Sequence, residues 1–320
     1  PLMPPVPPSQ SAVGEVWIDT QFEKTDHKTK PGTATRINVE DWNVERKVSL
    51  PEINMNNPHN MWSDREQKII YQTQWFDNML TAFDRQTGQL IDNIRVGDAP
   101  SHVMTNPLND LLYVALSGEQ GVAEVKFNKE NNKFEMQRII PLQDSAQNPT
   151  HPHAQWISSD GSKMITPNHF TDDATIIDFE SKKDTEGQEQ IQSRTKSGKM
   201  PIATGMSPDG QTAYVANLLS SNITVMDMKS GNVKDVIDLA DEGHALPIQT
   251  PVSPNGAYMI TANTLTGSLA IIDTKTNEIV QNLACDPGCH GVNFGAKEGG
   301  GYYAYVASKF SNRMIVVDGD

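Results

Sequence analysis

A chain of 320 residues with a formal charge of −14, 37% hydrophobic residues and a mean hydropathy of −0.51 excludes several partners at the outset. With 40 acidic against 26 basic side chains, no basic stripe is available to neutralise nucleic-acid phosphates or anionic headgroups, so neither is an expected partner. No apolar run approaches the roughly 20 residues needed to cross a bilayer, and no signal peptide is visible; no membrane span is expected.

The chain begins with Pro1 to Ser11, which holds five prolines and reads as a linker or tether, leaving residues 12–320 as the folded domain. Val16-Trp17-Ile18-Asp19, Thr35 to Val39 and Arg46 to Leu50 then read as short strands. Beyond them a unit recurs about every 45 residues. Its hairpin turns are Ser158-Ser159-Asp160-Gly161, Ser207-Pro208-Asp209-Gly210 and Ser253-Pro254-Asn255-Gly256. A strand of shared signature follows the turn, as in Leu112 to Ala115, Ala213-Tyr214-Val215-Ala216-Asn217, Met259 to Asn263 and Ala304 to Ser308. An apolar run closed by Asp84, Asp178, Asp227, Asp273 or Asp318 comes next; these aspartates read as turn residues, and a fourth strand such as Gln89 to Val96 completes the unit.

Short alternating strands at this period, with no competing amphipathic helix, predict an all-β fold, a seven-bladed β-propeller of four-stranded antiparallel blades. Six blades begin in the repeats and the first fifty residues supply three strands of a seventh. The last blade stops at Asp320 after its third strand, so a continuing chain is expected to complete it.

Seven residues before the turn Asp or Asn stand His153, Ile202 and Ile248, and His59, His102 and His290 fall in register with them at spacings of 43, 51, 49, 46 and 42 residues. Proline or cysteine precedes five of the six directly; Pro100 lies one residue further from His102. A lone inner histidine in a propeller is usually a hydrogen-bonded core residue. Four on separate blades converge on one axis and predict a metal site. His169, at the exit of a second strand, should lie beside His153, while His151 and His244 in inbound loops are reserve ligands and His27 lies in a loop of the same face. Imidazoles suit copper, zinc and iron, and several without carboxylates favour copper. Trp62, Trp75 and Trp156 recur near blade starts and read as core, with aromatics shielding a channel-mouth site as the alternative.

Cys285 and Cys289 admit three readings: a disulfide across the Pro287-Gly288 turn, a c-type haem attachment one residue longer than the usual spacing, or a thiolate pair for copper that lacks closely following His and Met. The expected state is the disulfide, which implies a periplasmic or extracellular location. No phosphate-binding glycine loop and no Gly-x-Ser-x-Gly elbow is present.

The Tyr-Val-Ala-Asn strands and Ser-Pro-Asp-Gly turns resemble the YVTN-repeat propellers over nearly the whole chain. The histidines in Asn57-Pro58-His59-Asn60 and Gly288-Cys289-His290-Gly291 are similar to those of the propellers of nitrous-oxide reductase and thiocyanate dehydrogenase, and Gly288 to Asp318 resembles propellers that precede cupredoxin modules in multicopper-oxidase-like proteins. The resemblance implies a periplasmic copper-dependent oxidoreductase acting on a small inorganic molecule, with a cupredoxin or cytochrome electron partner and a C-terminal cupredoxin domain or an oligomer. Ile202 and Ile248 interrupt the ring, so one to three coppers are expected rather than four. The alternative is a non-catalytic scaffold for partner binding or metal delivery.

Overall fold

The computed structural model describes residues 7–142, 148–181, 191–239 and 244–319. They form seven antiparallel sheets in chain order, the blades of a β-propeller. Blade one comprises Val16–Thr20, Thr33–Ile37 and Val44–Val48, and blade two Pro58–Ser63, Ile69–Gln74, Met79–Asp84 and Leu90–Arg95. Blade three runs through Pro100–Thr105, Leu112–Leu116, Gly121–Asn128 and Lys133–Pro141, and blade four through Trp156–Ile157, Lys163–Asn168, Asp173–Asp178 and Ile191–Lys196. Blades five and six are Pro201–Met206, Thr212–Asn217, Asn222–Asp227, Val233–Asp238 and Pro247–Ile248, Tyr258–Asn263, Ser268–Asp273, Glu278–Ala284. Blade seven has Cys289–Ala296, Tyr302–Ser308 and Ile315–Asp318. Among the described residues the one helix is a 3₁₀ turn, Pro51–Ile53.

Among the described residues blade one has no innermost strand, so its Val16–Thr20 takes the second-strand position, and blade seven has no outermost one. The ring nonetheless closes. Seven apolar clusters fill the seven gaps between neighbouring blades, the closing one made by Ala12, Val16 and Val39 with Tyr303. Each strand alternates its side chains between the two adjoining gaps: Met164 faces blade three and Ile165 faces blade five. The expected linker is tied down at its end, since the Tyr303 hydroxyl donates to the Gln10 carbonyl at 2.9 Å and the Glu298 amide to the Ser11 carbonyl at 2.8 Å. Residues 1–6 lie outside the described residues.

Each recurring polar residue has a local task. At the 207–210 turn the Ser207 hydroxyl accepts the Thr212 amide at 3.0 Å, Asp209 accepts the Gln211 amide at 3.0 Å, and Gly210 takes a φ of +70°. The aspartates that close third strands accept turn amides, Asp84 from Thr87 and Asp227 from Ser230, both at 2.7 Å. Buried Asn168 and Asn217 clamp the second strand to the third: each side-chain amide reaches a threonine hydroxyl, Thr175 and Thr224, at 2.9 Å.

Candidate metal centre

A repeated backbone device starts six of the seven blades. Asn57, Ala99, His151, Met200, Leu246 and Gly288 all adopt positive φ, between 43° and 73°. The next residue, Pro58, Pro100, Pro152, Pro201, Pro247 or Cys289, pairs with the last residue of the second strand. In blades two, three, five and seven one extra residue then enters the inner strand before regular pairing resumes, whereas in blade six Ile248 pairs directly with Ala262; in blade two the extra residue falls between Pro58 and Asn60, where His59 lies. A bulge of this kind turns its side chain out of the sheet register, here toward the axis.

The residue directly after the proline or cysteine is His59, Ser101, His153, Ile202, Ile248 and His290 in turn. His102 therefore stands one residue beyond the equivalent position, which Ser101 occupies; the bulge absorbs the offset. Its ring still converges. Ligating nitrogens of His59, His102 and His153 all lie within 4.8 Å of one another, with ring centroids 5.7 Å apart for His59 and His102, 5.4 Å for His59 and His153, and 5.2 Å for His102 and His153. No carboxylate joins this trio among the described residues.

A second tier comes from the residue just past each second strand: Gln21, Trp75, Ser117, His169, Leu218, Thr264 and Lys309. From Ser117 onward each amide donates to the carbonyl of its blade's positive-φ residue, at 3.0 to 3.3 Å, which fixes this tier beside the first. Gln21 lies 3.4 Å from His59 Nδ1, and the Ser117 hydroxyl 3.3 Å from His153 Nδ1. Both contacts use Nδ1, and His59 Nε2 is buried without a partner, as is His169 Nε2. Trp75 covers the trio, its ring centroid 4.7 Å from His59 and 5.2 Å from His153. That placement corrects its reading as core; Trp62 and Trp156 do pack together in the core, centroids 5.8 Å apart. No chemical likeness links the seven second-tier residues, and only counting one position past each second strand would have found them.

The remaining histidines divide. His169 stacks on His153, and His290 stands close enough to bear electrostatically on both His59 and His153. His151 instead points Nδ1 at the Ser117 carbonyl, 2.7 Å away, and His244 and His27 are exposed. Five histidines thus gather; the reserve ligands do not. Burial is the main cause that keeps the five neutral. It drives His59 and His153 well below the usual imidazole range, His102 and His169 to about 4 and His290 to about 3; positive charge on neighbouring imidazoles, and on Lys309 for His59 and His290, pushes the same way. A cluster of neutral imidazoles with unpartnered nitrogens and no acidic neighbour has the donor chemistry of a borderline-soft transition-metal site. Cys285 and Cys289 are joined to each other in a disulfide.

Residues 29–283 match the family described as Lactonase, 7-bladed beta-propeller. No curated protein matches the chain in sequence. Among solved structures it is similar to Kuenenia stuttgartiensis hydrazine synthase, at 18% identity over 89% of each chain with a TM-score of 0.73. A putative 6-phosphogluconolactonase from Bacteroides fragilis gives 18% identity, 99% of this chain and 93% of that one, with a TM-score of 0.73. The Pseudomonas aeruginosa periplasmic gluconolactonase PpgL gives 17%, 95%, 93% and 0.68 in the same order. Identities this low carry the fold alone. Where the histidine pattern resembled copper-enzyme propellers, the family match and two of these structures are lactonase propellers.

Proposed function

From the premise that the chain belongs to the seven-bladed β-propeller lactonase family, we propose that it is a metalloenzyme of the periplasm or cell exterior, with copper held by His59, His102 and His153 on the propeller axis. The observation that carries this reading is the approach of three imidazole nitrogens from three blades to within 4.8 Å of one another. His290 stands next to the trio as a further donor, and His169, stacked on His153, supports that ligand. Gln21 and Ser117 sit on the Nδ1 side of two ligands and orient them; with its amide oxygen turned inward, Gln21 would accept Nδ1–H of His59 and leave Nε2 for the ion. Trp75 packs against His59 and His153 on one side of the site. Copper held there would supply a one-electron couple for a small inorganic anion or molecule. Electrons would leave to a cupredoxin or cytochrome.

A second reading is favoured by the family itself and by the likeness to PpgL: a metal-assisted hydrolysis of a lactone ring. Loading the protein with copper or zinc, followed by metal analysis and an EPR spectrum, tests the centre. Turnover of small inorganic anions with a dye acceptor, against gluconolactone hydrolysis followed by base uptake, then separates the two activities. No metal retained after reconstitution overturns the metalloenzyme reading.

A further inference from the structure

The residue two positions past each second strand lies next to the second tier but faces the opposite way. It is Phe22, Phe76, Phe170, Leu219, Leu265 or Phe310 in six blades, and Gly118 in blade three. All six side chains are exposed, between 56% and 76% of their surface, and they include every exposed phenylalanine among the described residues. Single exposed apolar residues are ordinary on a protein surface; one at the same register on six of seven blades is a ring. The alternation along these loops explains both tiers: one residue turns in toward the imidazoles and the next turns out to solvent. The ring is continuous with the histidine site. Phe170 lies with its centroid 4.4 Å from His151 and 6.3 Å from His169, and Phe310 covers Gly288, two residues before His290.

Three ion pairs lie on the same loops, Lys30 with Asp77, Lys199 with Asp172, and Arg313 with Asp286, on a molecule that carries −14 overall. Six side chains of this size and exposure present roughly 700 Å² of apolar surface, close to the ~800 Å² that one partner buries in a standard protein interface. A second copy would bring −14 against −14, and an anionic lipid surface would be repelled likewise. A partner of net positive charge is drawn in by the same field.

We propose that this ring is the docking surface for a basic protein whose contact face is uncharged and apolar at its centre, seated over the mouth of the histidine site with blade three as the gap in the rim. The inference does not depend on what the imidazoles hold. A basic c-type cytochrome with an exposed apolar haem edge is the probe, immobilised and titrated with the wild-type protein, with the triple variant Phe76→Ser/Phe170→Ser/Phe310→Ser, and with the outer-strand control Val233→Ser/Val236→Ser. Circular dichroism and melting confirm that each variant folds, and metal content is measured in parallel. The expected result is binding that weakens with salt, falls at least about tenfold in the triple variant and is unchanged in the control, whatever the metal content. Binding unaffected by the triple substitution overturns the proposal. So do absence of binding to the cytochrome at low salt, ring-dependent self-association in sedimentation, and ring-dependent flotation with phosphatidylcholine vesicles.

Discussion

The imidazole of His169 lies almost parallel to that of His153, with centroids 5.0 Å apart and ring planes 14° apart. Rings stacked in this way point their nitrogens in parallel rather than toward a common point. In this arrangement the two cannot serve one ion equally, although sequence position alone places them side by side.

Substitutions at the two positions should therefore separate. His153→Ala and His102→Ala each remove one of three converging nitrogens and should abolish stoichiometric metal binding, whereas His169→Ala should weaken affinity by about 10 to 100-fold, the usual cost of losing a group that supports a ligand. Metal analysis after dialysis against a graded series of chelators reads the difference. Equal losses in all three variants would make His169 a full ligand and require its ring to rotate off His153.

Fold and site are unequally legible in the chain. Turn chemistry at Ser207 to Gly210 and the Asn-Thr clamps repeat with the blade, so the amino-acid pattern alone specifies the propeller. His59, His153 and His290 follow the residue that anchors each inner strand, and that local rule carries them. His102 breaks it by one residue, and only the bulge shows why its ring still arrives. His151 has the right loop but sits in the left-handed conformation itself and turns to the Ser117 carbonyl. Apart from His169, the second tier is hidden, because Gln21, Trp75, Ser117, Leu218, Thr264 and Lys309 share a register and no chemistry.

The Asn168 clamp is a stability element with a direct test. Its side chain is fully buried and donates to Asp173 at 2.7 Å and Thr175 at 2.9 Å. Truncation removes a buried donor that bridges Asp173 and Thr175, with Thr171 still donating to Asp173 at 2.8 Å, so Asn168→Ala should cost about 1–3 kcal/mol. Urea denaturation should show a lower midpoint at unchanged slope, and a midpoint equal to wild type would show that the clamp contributes nothing.

Gly205 marks how closely inner strands approach around the axis. A Cβ on this residue would fall within the van der Waals envelope of the Thr250 carbonyl oxygen of the next blade, a backbone atom held by the ring. Gly205→Ala should destabilise by about 1–3 kcal/mol or more, because blade spacing cannot relax at one position without disturbing its neighbours. Metal content per folded molecule should stay at the wild-type level, since Gly205 is remote in sequence from every proposed ligand. Unaltered melting would mean that the inner strands can slide apart.

Asp19 gives the chain a pH dependence distinct from that of the histidines. It lies on Val16–Thr20, in the blade without an inner strand, and Gln72 Nε2 donates to its Oδ1 at 2.6 Å. Burial raises its carboxyl from 3.8 to about 8, with the Gln72 hydrogen bond pulling the other way without cancelling it. Gln72 Oε1 is buried without a partner, and a protonated Asp19 would supply one by completing a two-point acid–amide pair. Because the folded value lies above the unfolded one, the folded state holds the extra proton. The contribution is whole below about pH 4 and is lost progressively as pH rises through about 8. Asp19→Asn keeps the shape and removes the ionisation. The variant should melt above wild type at about pH 8, by a margin that shrinks at about pH 6 and vanishes near pH 4. Parallel melting curves at all three values would show that Asp19 is ionised in the folded protein and that solvent reaching it outweighs its burial.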